Sequence, residues 1–356
     1  RTYTPFFASG HALFEQLCRM SNELGTQEFF VMDENFLKDK TRAQELLSCM
    51  EENHRPFSFA VFSSAETIEA FGVENLARLG VFFLWIGAES KHETYDKNKG
   101  RNLQALIRNL RDHGIAVLVS GILFLEHHRP DTISQDIDYL IDLQGVFTQF
   151  MMFTPLPGTQ LYKQYKRQNR IDFDLPFEQW HGQHLLNFHH PHFTRAQATQ
   201  WLQEAFQQEF DRNSSSVYRM TETYLRGYET LASLGNRDPW LRHRSHQMLD
   251  RAQELRILLP TLRHFAHDEL ERARINTLEA RFDATLGSLD PTSRALQLAA
   301  FGIANAHALR CRFRRDLDQP RFSRTRYRWP SPMHRWQQSL ESLAAGLRKP
   351  SEQPIG

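Results

Sequence analysis

Cysteine is scarce in this chain: Cys18, Cys49 and Cys311 are the three among 356 residues, and they lie far apart. That spacing excludes a disulfide framework and any local cysteine motif for a metal cluster, and it suits a reducing compartment. Long apolar runs are missing as well. None approaches the roughly 18 residues that span a bilayer, and no basic segment leads into an apolar one at the amino terminus, so neither a membrane span nor a secretory signal is expected. The cytoplasm is the expected location. Net charge is nearly absent at +1, but from Trp240 onward 20 Lys and Arg face 12 Asp and Glu, a net of +8, leaving −7 for the rest. The surplus is almost all arginine. An arginine-rich tail can meet nucleic acid or an anionic surface. These arginines are spread along helical patterns, so wet faces of amphipathic helices are the plainer account and nucleic acid is not an expected partner.

What the chain has is 40% hydrophobic residues, enough for one large domain or two of ordinary size. Much of this sits in short apolar runs that end in polar or small residues and are followed by helical spacing. Phe29–Met32 runs into Asp33-Glu34-Asn35, and Phe82–Ile86 into Gly87-Ala88-Glu89-Ser90. Val117–Leu123 leads to Glu126, and Phe147–Phe153 to Thr154-Pro155-Leu156-Pro157-Gly158-Thr159. Buried parallel strands read this way, and ligands bind at their carboxyl ends.

Strands are expected near 28–33, 57–63, 81–87, 116–123 and 147–153. The helices between them have inward faces Ala43, Leu46, Leu47, Met50, then Leu103, Leu106, Ile107, Leu110, then Ile133, Ile137, Leu140, Ile141. Alternation of this kind implies a parallel sheet with right-handed crossovers, either an open or partial barrel or a doubly wound sheet. After Thr159 the texture changes. Residues 161–193 read as a connecting, histidine-rich loop region and 194–317 as a helical domain, with breaks near Asn213–Ser216, Gly235-Asn236, Pro260 and Asp290-Pro291; 318–356 reads as a loose Arg- and Pro-rich tail.

Each strand end offers chemistry and a plainer alternative. Glu89 can accept hydrogen bonds from sugar hydroxyls, with Gly87 letting a ligand approach the backbone, or it can complement a helix dipole. Asp33 and Glu34 can hold an amino group or cap the next helix. Glu126 ends another strand; His127 and His128, being adjacent, point to different faces and suit a helix start better than a metal. The two prolines after Thr154 can present rigid backbone to a flat ring, or end a strand. His181, His184, His189, His190 and His192 can bind zinc, or form an interdomain or substrate-facing loop. Cys18 and Cys49 fall on apolar helical faces and read as small core residues.

In this order and spacing the elements resemble the cobalamin-binding-type branch of the radical S-adenosylmethionine (SAM) superfamily. Asp33-Glu34-Asn35-Phe36 is similar to its second-strand Asp-Glu-Asn-Phe, Ile86–Ser90 to its ribose-contacting Gly-Ile-Glu-Ser, Ile122–Glu126 to its fifth-strand Ile-x-Gly-x-Glu, and Phe150–Tyr162 to its Thr-Pro-x-Pro-Gly-Thr-x-Leu-Tyr. The resemblance covers residues 1–193 closely and the helical extension loosely. It implies a partial TIM-type (β/α) barrel, truncated at its amino terminus and followed by an all-α extension, with residues 1–160 as the barrel. It further implies SAM across the strand ends, with Glu89 and Ser90 at the ribose, Asp33 and Glu34 near the methionyl amino group, and Thr154 and Pro155 near adenine.

The chain departs from the family in two places. No CxxxCxxC motif occurs, so the 4Fe–4S cluster has no ligands in this chain. Phe124 stands where the family has glycine, and crowding of the nucleoside pocket is expected; Ala88 for isoleucine is milder. The sequence therefore reads as the carboxyl-terminal part of a longer radical SAM enzyme acting on a small molecule, with the cluster loop, and a cobalamin-binding domain where cobalamin is used, lying upstream. The alternative is a cluster-less, non-catalytic scaffold.

Overall fold

Five strands, β1 (Glu28–Val31), β2 (Ser58–Ser63), β3 (Val81–Glu89), β4 (Ala116–Leu123) and β5 (Phe147–Met152), lie parallel in the order β1-β2-β3-β4-β5. The computed structural model describes residues 6–91 and 100–313, and the expected tail at 318–356 lies outside them. Helix α1 (Gly10–Leu24) precedes the sheet. The crossovers are α2 (Lys40–Glu52), the pair α3 (Ala65–Phe71) and α4 (Val73–Leu79), α5 (Leu103–Asp112) and α6 (Ile133–Asp142). A doubly wound sheet requires a point where strand order reverses, and here it never does. With right-handed crossovers every helix then falls on one face, which is the arrangement of a section of a (β/α) barrel.

Side-chain burial follows the pleat. On β3, Leu84, Ile86 and Ala88 are buried, while Trp85, Gly87 and Glu89 alternate with them and are half-buried. The second set faces away from the helices, on the concave side, where Phe30, Phe62 and Trp85 form a row with ring centroids 5.4 and 4.9 Å apart. The short edge strand β1 leaves Phe30 53% and Met32, just beyond it, 73% exposed.

After β5 come α7 (Gln160–Arg167), α8 (Arg195–Asn213), α9 (Ser216–Leu234), α10 (Pro239–Arg256), α11 (Leu259–His264), α12 (Glu269–Leu286) and α13 (Pro291–Phe313). Residues up to Gly302 fall in one compact unit. Helix α8 packs on β5, with Phe206 against Phe150 at 5.1 Å and the Thr148 hydroxyl donating to Glu209 at 3.1 Å. Helices α9 and α10 close the amino ends of β3 and β4: Tyr224, Leu225, Leu241 and Met248 share a core with Ala77, Ala116 and Val146. The floor is thus filled by helix, and the carboxyl ends are left to loops. Among the described residues, no helix is long and apolar enough to cross a membrane.

Candidate functional site

The end of β3 is irregular. Gly87 pairs with Ser120 and Glu89 with Gly121, so Ala88 is an extra residue and the strand bulges there. Glu89 takes φ 63°, in the left-handed region. For a residue with a Cβ this costs about 1–2 kcal/mol, so it persists only where neighbours hold it.

The holding groups lie in the helical layer. The Ser90 hydroxyl donates to Asp136 Oδ2 at 3.2 Å, and the Lys91 amide donates to Oδ1. Asp136, fully buried in the first turn of α6, also accepts from His128 Nε2 at 2.6 Å, and His128 Nδ1 accepts from the Leu125 amide at 3.0 Å. These partners fix the imidazole orientation. Burial pushes the Asp136 carboxyl up, but the donors from His128, Lys91 and Ser90 outweigh it and leave the carboxyl below its usual range. A folded pKa below the unfolded one means that the stabilisation is complete above about pH 4 and is lost as pH falls through the lower folded value. Unfolding free energy from urea titrations between about pH 5 and pH 2 is therefore expected to fall less steeply in Asp136→Asn than in the native protein.

Among the described residues, His127, His128 and Asp136 bring three ligand atoms within 4.8 Å of one another. The 2.6 Å between His128 Nε2 and Asp136 is a hydrogen bond; two ligands on one tetrahedral ion with arms of about 2.1 Å stand about 3.4 Å apart. With both ring nitrogens of His128 engaged, the group reads as a structural relay.

At the end of β1, Asp33 accepts from the buried Arg42 of α2 at 2.6 Å, and Glu34 is exposed. Neither caps α2, whose amino end is capped by Asp39. Asn35 ties this end to β2: its amide donates to Ser64 Oγ at 3.1 Å and its oxygen accepts from Ser63 at 3.0 Å and Thr67 at 3.2 Å.

At the end of β4, Glu126 pairs with Arg170, whose guanidinium stacks on Tyr165 at 4.2 Å and Phe188 at 5.7 Å. The Arg170 donor lowers the Glu126 carboxyl, while burial pushes the Tyr165 phenol up. Phe124 has φ 62°, in the left-handed region that favours glycine. Its ring is wholly buried, edge-on against Phe193 at 5.2 Å, and fills core.

At the end of β5, the Thr154 hydroxyl donates to the Met152 carbonyl at 2.8 Å, and the Pro155 carbonyl accepts from buried Asn187 at 3.2 Å. The histidines beyond are split. The His190 Nε2–H donates to the Leu125 carbonyl at 3.0 Å, and burial lowers its pKa; His181 and His184 are exposed, with ring centroids 4.6 Å apart.

Because the strands are parallel, Asp33 and Glu34, Glu89 and Ser90, and Thr154 and Pro155 all emerge at one edge of the sheet. At about 4.8 Å per strand, the β1 and β5 groups lie about 10 Å to either side of β3. Ser90, 4% exposed, faces the helical layer, so Glu89 is the side chain that β3 offers to the concave side. A separate cavity of 640 Å³ opens on the helical side, lined by Ser90, Asn102, Gln104, Tyr139 and Asp142. Sequence reading took His128 for a helix-start residue and passed over Asp136. The signal was present, since Asp136 interrupts the apolar face of α6 between Ile133 and Ile137.

No family model matches the chain. Over 170 residues, 44% of its length, it is 29% identical to the bacteriochlorophyllide d C-8(2)-methyltransferase of Chlorobaculum tepidum. It covers 36% of that protein, so the chain spans about a third of the length of this curated relative. Among solved structures, the radical SAM methyltransferase TsrM from Kitasatospora setae, with cobalamin and a 4Fe–4S cluster bound, aligns with a TM-score of 0.38 at 18% identity, over 45% of this chain and 34% of that one. The same enzyme with tryptophan and a SAM analogue gives 0.34 at 17%, over 40% and 30%. Likeness at this level carries no argument about chemistry.

Proposed function

We propose that the chain is part of a radical SAM methyltransferase and that the carboxyl ends of β1, β3 and β5 hold SAM on the concave side of the sheet. One observation carries the reading: sequence elements far apart in the chain are gathered, in order, at one edge of a sheet whose strand order never reverses. The methyltransferase relative supports the reaction class. On this reading Glu89 accepts hydrogen bonds from the ribose hydroxyls, and Gly87, without a side chain, lets the ligand lie against the strand. Glu34, exposed, and Asp33, already beside Arg42, face the methionyl ammonium. The backbone at Thr154 and Pro155, stiffened by Asn187, flanks adenine. Glu126, engaged by Arg170, braces the loop after β4.

SAM supplies an electrophilic methyl on a sulfonium; this chain's residues bind and orient it. Radical SAM chemistry also needs three thiolates on a 4Fe–4S cluster. Cys49 is buried in α2, Cys18 half-buried in α1 and Cys311 exposed in α13, with no spacing among them that makes such a set. The residues present do not fit a cluster, and no step is derived through one. On this reading the cluster loop, and a cobalamin-binding domain if one is used, belong to sequence outside this chain.

Equilibrium dialysis of the full-length protein against labelled SAM tests the ribose assignment. A hydrogen bond to a charged group contributes about 1.5 kcal/mol or more, so Glu89→Ala is expected to weaken binding about tenfold or more. An unchanged affinity removes the assignment. The scaffold alternative predicts that native protein retains no SAM at all.

A further inference from the structure

The relay Leu125–His128–Asp136 ends on the two residues that follow Glu89. From these contacts we infer that Asp136, oriented by His128, is a positioning residue that sets the β3 terminus so that Glu89 is held in its left-handed conformation and presented to the concave face. This rests on the SAM reading of Glu89 for its function, but not for its geometry.

The argument is one of direction. Glu89 is at φ 63° immediately after the bulge, and apolar packing, which has little directional preference, is poorly suited to fix such a twist. Hydrogen bonds are better suited. One carboxylate takes the Ser90 hydroxyl on one oxygen and the Lys91 amide on the other, so the peptide after Glu89 is fixed at two successive residues. The carboxylate cannot rotate to release them, because Oδ2 also takes His128 Nε2, and His128 is pinned by the Leu125 amide. Asp136 itself is set in α6. Three separate pieces of chain, the end of β3, the loop after β4 and the first turn of α6, therefore meet on one buried anion. Replacing a buried charged network by apolar residues is often neutral or stabilising, so stability alone is a poor account of a charge at this place. Orienting a neighbouring functional group is a better one, as with the outer-shell partners that orient metal ligands.

The test uses the full-length protein and two readouts. Asp136→Asn keeps the shape but offers one acceptor and one donor where three donors converge. Hydrogen–deuterium exchange, read without ligand, is expected to quicken at the Lys91 amide, and SAM affinity by dialysis is expected to fall about ten- to hundredfold, the range typical of outer-shell partners. His128→Gln, which keeps a donor toward Asp136 and an acceptor toward the Leu125 amide, should stay within about threefold of native affinity, whereas His128→Ala should not. If Asp136→Asn does not fold, Ser90→Ala removes one donor and is read the same way. Lys91 exchange and SAM affinity both unchanged in folded Asp136→Asn, or in Ser90→Ala where that variant stands in, overturns the inference. Faster exchange with unchanged affinity, while Glu89→Ala is weak, also overturns it, since the β3 end would then be loosened without consequence. If Glu89→Ala binds normally, it is the SAM reading that fails, and Lys91 exchange still decides the geometry.

Discussion

Replacing Arg244 by methionine is expected to lower the free energy of unfolding by about 2–4 kcal/mol, the cost of taking the donor away from buried carbonyls. Arg244 is 1% exposed. Its guanidinium donates to the carbonyls of Arg78 at 3.0 Å, Leu79 at 3.2 Å and Pro56 at 3.4 Å, and to Gln247 at 2.8 Å. Arg78 and Leu79 end α4, where the last carbonyls have no partner within the helix, so an arginine from α10 caps α4 from outside. Trp240, one turn earlier, donates its ring N–H to the same Arg78 carbonyl at 2.8 Å. Burial pushes the guanidinium down to about 9, so it remains charged at neutral pH. Methionine fills much of the volume but donates nothing: the buried Leu79 carbonyl loses its Arg244 donor, at about 1–3 kcal/mol, and the Pro56 carbonyl keeps only the longer bond from Gln247 at 3.5 Å. Urea denaturation of native protein and variant measures the difference. A loss below about 1 kcal/mol would mean that the α10 contact is not what secures α4.

Gly227→Val is expected to cost about 2–3 kcal/mol, the upper part of the range for overpacking. A Cβ at Gly227 would lie 2.3 Å from the Gly114 Cα and 2.6 Å from its nitrogen. Both are backbone atoms of the turn that feeds β4, so neither can swing away. Glycine in a helix interior costs about 1 kcal/mol relative to alanine, so a substitution gains propensity, but the clash is larger and decides the sign. A thermal melt that rises in the variant would show α9 free to move off the sheet.

The strands were legible because each is an apolar run closed by a polar end, and their observed limits differ from the expected ones by at most two residues. Helix positions followed from apolar spacing in the same way. Local pattern did not show where α9 and α10 dock, because that is decided by contacts such as Gly114 on Gly227 that join residues more than a hundred apart. Nor did it show that Glu126 would be taken by Arg170, or that Ser90 would turn toward α6. Asp136 and Arg244 share one signature, a charged residue set into an apolar helical face. That signature marks a buried partner in the fold, although the sequence alone does not identify the partner. Bulges are equally hidden: nothing around Ala88 announces that it is the extra residue.

Hydrogen–deuterium exchange of the full-length protein with and without SAM tests the central claim most directly. The account predicts protection at the carboxyl ends of β1, β3 and β5, around Asp33–Asn35, Gly87–Ser90 and Phe153-Thr154, with Glu89→Ala weakening it. Protection confined to the cavity lined by Asn102, Gln104, Tyr139 and Asp142, or no protection with SAM in excess, would contradict it.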